Sequence, residues 1–271
     1  MGCQLSAIFR SRRSLKGEVI AQDIWRNIAS MISRREFVQT SVAAGLVAAP
    51  AMAATRPVLV ELFTSQGCSS CPPADDVLSH LAQRADVVAL AYHVDYWDYI
   101  GWKDPFARPA FTARQREYRK VFGNQSIYTP QMVFNGAVEF PGQNEPEATR
   151  AVSAAAQRAD QGPSIALRRG ADAITWIEIE ASSLRAPVSV FGAVYGMGKS
   201  TRVSRGENAG RTLSNINMAK SVQILGPYAG DVTRISWQPD LTEAAGLAVW
   251  IQPNNLGPVS AVAQLRISSS T

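Results

Sequence analysis

The sequence predicts an α/β domain over residues 54–161 followed by a β-rich, sandwich-like domain over 162–271, with a removable leader in front. Three observations carry this. Residues 57–160 alternate β-branched apolar runs with helically spaced ones, in the order strand, helix, strand, helix, hairpin, helix. From about residue 162 only short strand-like runs remain, broken by Gly, Pro, Asn and Asp. Residues 1–53 have the layout of a targeting segment.

The leader comes first. "SRREFVQ" (33–39) sets Arg34-Arg35 ahead of a modest apolar run, "TSVAAGLVAAP" (40–50), and "AMAA" (51–54) offers small residues for cleavage after Ala53. The run is too short and too rich in Ala and Gly to span a bilayer stably. The segment resembles a twin-arginine export signal, which implies a periplasmic or secreted bacterial protein with no stable membrane span once the signal is removed. Met31 stands where such a signal should begin, so residues 1–30 read either as an upstream extension or as a tail removed with it. Cleavage discards Cys3 and leaves Cys68 and Cys71 in an oxidising compartment, where a disulfide can persist.

Charge excludes one class of partner. Seven of the 27 basic residues and three of the 22 acidic ones lie in the first 53, leaving 20 against 19. A body so nearly neutral is a poor ligand for nucleic acid.

"VLVELFT" (58–64) reads as a buried strand, and Pro72-Pro73 suit a helix's first turn, where a missing N–H costs nothing. Ala74, Val77, Leu78 and Leu81 continue that helix, and Asp75 and Asp76 lie near its positive end. "DVVALAYHVDY" (86–96) is a second buried strand, and "FTARQREYRKVFG" (111–123) is a polar helix closing at Gly123. Asn135-Gly136 between "PQMVF" and "AVEF" marks a hairpin. "EPEATRAVSAAAQRA" (145–159) is a last helix, with Asn144 as its N-cap and Pro146 near its start. Beyond the Gly162-Pro163 junction, "SIALRR", "ITWIEIEA", "PVSVFGAVYG", "VTRISWQ", "LAVWIQ" and "SAVAQLRIS" are strands.

The chemistry concentrates at "TSQGCSSCPPAD" (64–75). A strand, a loop and Cys-x-x-Cys ahead of a helix set Cys68 near unpaired amide donors and the helix dipole, which favour a thiolate. Cys68 is then the attacking thiol, and Cys71, deeper in the helix, resolves the mixed disulfide. Zinc knuckles share the spacing, but the mature chain has no second Cys pair and only His80 and His93 to complete four ligands. A purely structural disulfide gains little from closing so short a loop.

The resemblance becomes specific at "IYTPQMVFNG" (127–136). In thioredoxin-like proteins a cis proline before the hairpin packs beside the dithiol, and here Thr129-Pro130 occupies that place. "FTSQGCSSCPPAD", "YHVDYWDYIGWKDPF", "YTPQMVFNG" and "RGENAGRTL" together resemble an exported bacterial thioredoxin-like family, the domain-of-unknown-function 1223 family. The resemblance covers nearly the whole mature chain. It implies a thioredoxin-like domain, a catalytic pair Cys68 and Cys71, and a cis Thr129-Pro130 whose backbone pairs with a bound peptide. The chain departs from thioredoxins in having Gly67 where they place Trp, and Ser69-Ser70 between its cysteines. Their buried acid would fall near Glu61, although the loop here is one residue longer; Glu61 takes the Cys71 proton if burial raises its pKa, or else stands at a strand edge with its head in water.

Other stretches compete for roles. Tyr96, Trp97, Tyr99 and Trp102, beyond the end of the second strand, either line a groove for an apolar peptide or small ligand or plug the sheet end. His93 with Cys68 and Cys71 is a donor set suited to copper or zinc, unless the ring is simply hydrogen-bonded in the core. "VSRGENAGRTLSNINMAK" (203–220) reads as a long polar loop, functional or mobile, whose Arg205, Glu207, Asn208 and Arg211 can approach the face of the α/β domain, and it lacks phosphate-loop spacing.

The expectation is therefore thiol–disulfide exchange on an exported protein or small thiol, needing an unidentified redox partner and no cofactor beyond the disulfide itself. Copper or zinc delivery through Cys68, Cys71 and His93 is the alternative. A redox-inactive binding module is the third reading.

Overall fold

The structure, a computed structural model, describes residues 56–158, 162–170, 172–184 and 188–267. The expected leader, with Arg34-Arg35 and the expected cleavage site, lies outside them, as does residue 161 at the expected domain boundary.

Strand β1 (Val58–Thr64) is buried along its whole length because both of its faces are covered. It pairs in parallel with β2 (Val87–His93) and antiparallel with β3 (Gln131–Phe134), which returns as β4 (Val138–Phe140) in the order β2-β1-β3-β4. Alternation along β1 divides the work. Val58, Val60 and Leu62 pack on helices α1 (Pro72–Leu81) and α3 (Glu145–Arg158). Leu59 and Phe63 face the other way, towards helix α2 (Pro109–Phe122).

The local signals act as their chemistry requires. Pro72 and Pro109 open their helices. Asn144 Oδ1 accepts from Glu147 N at 3.1 Å and caps α3. At the hairpin Asn135 and Gly136 have φ of 45° and 62°, the pair of positive values that a type I′ turn needs.

The remainder is β structure. β5 (Ile165–Arg169), β6 (Thr175–Ile179) and β11 (Thr233–Trp237) form a three-stranded sheet in the order β11-β6-β5. β7 (Val188–Gly196), β10 (Ala219–Tyr228), β12 (Ala244–Gln252) and β13 (Ala261–Arg266) form a second sheet in the order β10-β7-β12-β13. Ile177, Ile179 and Trp237 meet Val190, Leu247, Val249 and Ile251 between these sheets. The opposite face of β7 and β12 carries Phe191, Ala193, Ala248 and Trp250, which join Leu59, Phe63, Tyr92 and Tyr118 in one buried cluster. The chain is thus a mixed α/β protein with several sheets, and one of its cores contains side chains from both halves.

Residues 203–220, read as one loop, are a loop over 203–211 and partly strand after it. β8 (Lys199–Arg202) and β9 (Thr212–Asn215) form a two-stranded ribbon around residues 203–211, and β10 begins at Ala219. β10 escaped sequence analysis because Gly226-Pro227 looks like a strand breaker. It is an edge strand with two register shifts, where a missing N–H is tolerated.

Candidate functional site

The two cysteines sit between the end of β1 and the start of α1. Backbone bonds from Cys68 N to Ser65 O (3.2 Å) and Cys71 N to Cys68 O (3.3 Å) coil the loop. Cys68 and Cys71 are joined in a disulfide, with their Cα atoms 5.5 Å apart. Cys71 is the N-cap of α1, its carbonyl accepting from Ala74 N at 2.9 Å and Asp75 N at 3.1 Å. This corrects the expectation that Cys71 lies deeper in the helix. Pro72 and Pro73 take the first positions, so the helix starts one residue after Cys71, and Cys68 belongs to the preceding turn. Neither cysteine exposes any surface.

Cys68 Sγ lies 3.8 Å from the carbonyl oxygen of Thr129 and 3.2 Å from Ser70 Oγ. The Thr129-Pro130 bond is cis. Trp97 Nε1 donates to Thr129 Oγ1 at 2.7 Å, and Gln115 Nε2 to the Tyr128 carbonyl at 2.7 Å, fixing this backbone from the side.

A polar group lies buried beneath the loop. Thr64 Oγ1 donates to Asp75 Oδ2 at 3.1 Å, and Thr64 is the register partner of His93. His93 Nδ1 is 2.7 Å from Asp104 Oδ2, which also accepts from Gln66 N at 2.8 Å. His93 is 1% exposed and its Nε2 has no partner among the described residues. Asp75 is half-buried as a residue. Loss of hydration pushes its carboxyl pKa up to about 7, only partly offset by the nearby His93 and the Thr64 hydroxyl. Burial also works against Asp104. The charge and hydrogen bond of His93, with the backbone N–H of Gln66 and Phe106, outweigh it and hold Asp104 below the usual carboxylate range.

Glu61 is fully buried but serves elsewhere. Its carboxylate accepts from Arg114 Nε at 2.7 Å and from the Tyr118 hydroxyl. β1 directs it to the α2 face, and Arg114 extends the network to Gln252 Oε1 at 3.0 Å. The residue expected to take the Cys71 proton is therefore committed to a buried guanidinium. Asp75 lies one helical turn on from Cys71, its backbone N–H donating to the Cys71 carbonyl at 3.1 Å and its carboxylate accepting from Thr64.

The aromatic stretch divides by role. Trp97 and Trp102 donate their indole N–H to Thr129 and to Gln66 Oε1 (3.1 Å), as walls of the cysteine loop. Tyr96 packs against the shared core, and Tyr99 stands 82% exposed. A cavity of about 510 Å³ lies away from the cysteines, between α3 and the β3–β4 hairpin. Among the described residues no three His, Cys, Asp or Glu side chains assemble into a group able to hold a metal ion.

The last wall of the site is the β8–β9 ribbon. Asn208, fully buried, donates Nδ2 to the carbonyls of Gln66 (3.0 Å) and Cys68 (2.9 Å). Glu207 Oε2 accepts from Ser69 N at 2.9 Å and Ser69 Oγ at 2.7 Å, which lowers the Glu207 pKa. Asn215 Oδ1 accepts from Gln66 Nε2 at 2.8 Å.

The family model for the protein of unknown function DUF1223 matches residues 59–252, from β1 to the end of β12. This chain belongs to the DUF1223 family. A crystal structure of a protein from Agrobacterium tumefaciens resembles this DUF1223 chain at 28% identity and a TM-score of 0.69, over 79% of this chain and 96% of the other. HBP35 of Porphyromonas gingivalis is similar in fold alone, at 10% identity and a TM-score of 0.56, over 80% of this chain and 78% of its own. No curated protein matches the chain in sequence.

Sequence analysis of this DUF1223 chain missed Asp75 as the acid bonded to Thr64, and Gln66 and Asp104 as the frame of the loop. Asp75 looked like an ordinary first-turn carboxylate, and nothing in its own helix shows that Thr64 reaches it. Glu207 and Asn208 were singled out, and both reach the cysteine loop.

Proposed function

We propose that this chain is an exported thioredoxin-like protein that carries out thiol–disulfide exchange through Cys68 and Cys71. The observation that carries the reading is a disulfide at the N-terminal end of α1 with Cys68 Sγ against the Thr129 carbonyl. A substrate held along the Thr129 backbone would meet Cys68 first. The arginine pair and cleavage site in the leader support the exported location.

In the oxidising direction a substrate thiolate attacks Cys68 Sγ. A new S–S bond forms, the Cys68–Cys71 bond breaks, and Cys71 leaves as a thiolate. Asp75, protonated up to about pH 7, supplies the proton that Cys71 takes. A second substrate thiolate then attacks the substrate sulfur, releasing a substrate disulfide and Cys68 as thiolate. Two thiols are oxidised and one protein disulfide is reduced. A disulfide-bearing partner runs the same steps backwards to restore the bond.

The test uses the purified protein in a glutathione redox buffer. One Cys68–Cys71 disulfide should equilibrate with the buffer, Cys68→Ser should abolish exchange, and Cys71→Ser should accumulate mixed disulfides because nothing resolves them. Stoichiometric copper or zinc that survives dialysis and is lost in His93→Ala would replace this reading with metal delivery. Neither mixed disulfides nor bound metal would leave a redox-inactive binding module.

A further inference from the structure

Three consecutive residues of the cysteine loop are each held from outside it. Asn208 holds the Cys68 carbonyl, Glu207 the Ser69 amide and hydroxyl, and Gln143 Nε2 the Ser70 carbonyl at 2.5 Å. Two of these three side chains stand at the tip of the β8–β9 ribbon. Bonds from Val203 N to Arg211 O and from Gly210 N to Val203 O, both 2.9 Å, close that tip. Both cysteines are 0% exposed, so no thiol can touch Cys68 Sγ in this conformation. In-line attack on a disulfide requires such contact.

We propose that the β8–β9 ribbon is a gate over the Cys68–Cys71 bond, and that exchange proceeds only through a state in which its tip has lifted from the loop. The proposal rests on the exchange reading above and assigns a regulatory part to the β-rich half of the chain. Asn208 and Glu207 are positioning residues in it, since neither touches a sulfur.

The tip is built to move as a piece. Gly206 and Gly210 bracket Glu207-Asn208-Ala209 with φ of +77° and +83°, backbone states that glycine enters and leaves freely. Gly206 packs closely on the turn beyond β2, where a Cβ would lie 2.8 Å from Ile100 Cδ1, and its positive φ is what favours glycine there. The contacts to be broken are polar. Water takes over the carbonyls of Gln66 and Cys68 once Asn208 leaves, so at Asn208 and Glu207 opening exchanges one set of hydrogen bonds for another. Glu207 is already exposed, and its bonds to Ser69 are in competition with solvent. Gln143 and the Thr129 carbonyl stay in place, which keeps the substrate side of the loop intact.

The experiment measures the rate at which dithiothreitol reduces the oxidised protein, by acid quench and mass, across a range of thiol concentrations. In the wild type the rate should level off at high thiol, where lifting of the tip becomes limiting. Glu207→Ala, a surface change that leaves the core untouched, should raise the rate at low thiol several-fold. Asn208→Ala should raise it by on the order of tenfold, the equivalent of one to two net hydrogen bonds. The reduction potential is measured for each protein, because a merely structural role would shift stability without a gain in rate. Wild-type rates in both variants, with an exchange-active wild type, overturn the gate and leave the exchange reading standing. A disulfide that resists reduction in all three proteins until denaturant is added overturns the exchange reading and the gate with it.

Discussion

Arg114 on α2 donates Nε–H to Glu61 on β1 at 2.7 Å, with their side chains 7% and 0% exposed. The guanidinium also lies over the rings of Tyr92, Tyr118, Phe191 and Trp250, at 5.1–6.0 Å from their centroids. Burial opposes the Arg114 charge, and the neighbouring Glu61 outweighs it, so the group stays charged. Glu61→Ala should cost about 3–5 kcal/mol in urea unfolding, because it leaves an uncompensated buried cation. Replacing both residues by apolar ones of similar volume should cost less than the single change. A loss below about 1 kcal/mol for Glu61→Ala would be surface-pair behaviour and would contradict the burial.

Asp75 gives the stability curve a definite sign. Its pKa is raised from 3.8 to about 7, so the unfolded chain loses this proton first as pH rises. Its contribution is fully present below pH 3.8 and is lost as pH rises through about 7. Asp75→Asn should remove that decline, and the stability difference between variant and wild type should move in the variant's favour between pH 4 and pH 8. His93 and Asp104 are present in both proteins, so the difference reports residue 75 together with its coupling to them. A difference that stays constant over this range would refute the shift.

Asn135 does more than turn the hairpin. Its Oδ1 accepts from Leu59 N at 2.7 Å, and its own N donates to Leu59 O at 2.8 Å, so it binds the turn to the central strand. Asn135→Ala removes the acceptor of a buried amide and puts alanine at φ 45°. The expected cost is about 2–4 kcal/mol, as a stranded donor plus a left-handed residue. Asn135→Asp keeps the acceptor and should recover most of it.

Export is testable independently of the fold. Replacing Arg34 and Arg35 together by Lys should retain the precursor in the cytoplasm, as read by fractionation and by the size of the chain. Unchanged periplasmic accumulation would remove the twin-arginine route.

What was legible in the sequence is local. Pro72, Asn135-Gly136, Gly123 and Asn144 announce their turns and caps because each acts on backbone within a few residues. The Cys68–Cys71 pair is legible for the same reason. The partners of the site are not local: Asn208 meets Cys68 across 140 positions and Asn215 meets Gln66 across 149. No periodicity encodes such pairs, since they arise only when the sheets close on one another. Glu61 shows the limit most directly. Its burial was considered, but whether its partner would be a thiol or a guanidinium depended on the face of β1 from which Arg114 approaches.

The Arg114 network also bears on how the chain is made. Glu61, Tyr92, Arg114 and Tyr118 leave the ribosome early, whereas Trp250 and Gln252, which complete their surroundings, lie in the penultimate strand. At the usual pace of about 5–20 residues per second, the 134 residues from Tyr118 to Gln252 take roughly 7–27 s. During that interval the nascent α/β half holds an ion pair whose cover has not been synthesised. A chain stopped after α3 should therefore present that unfinished face to chaperones, and a route that exports only finished proteins would wait for the last strands.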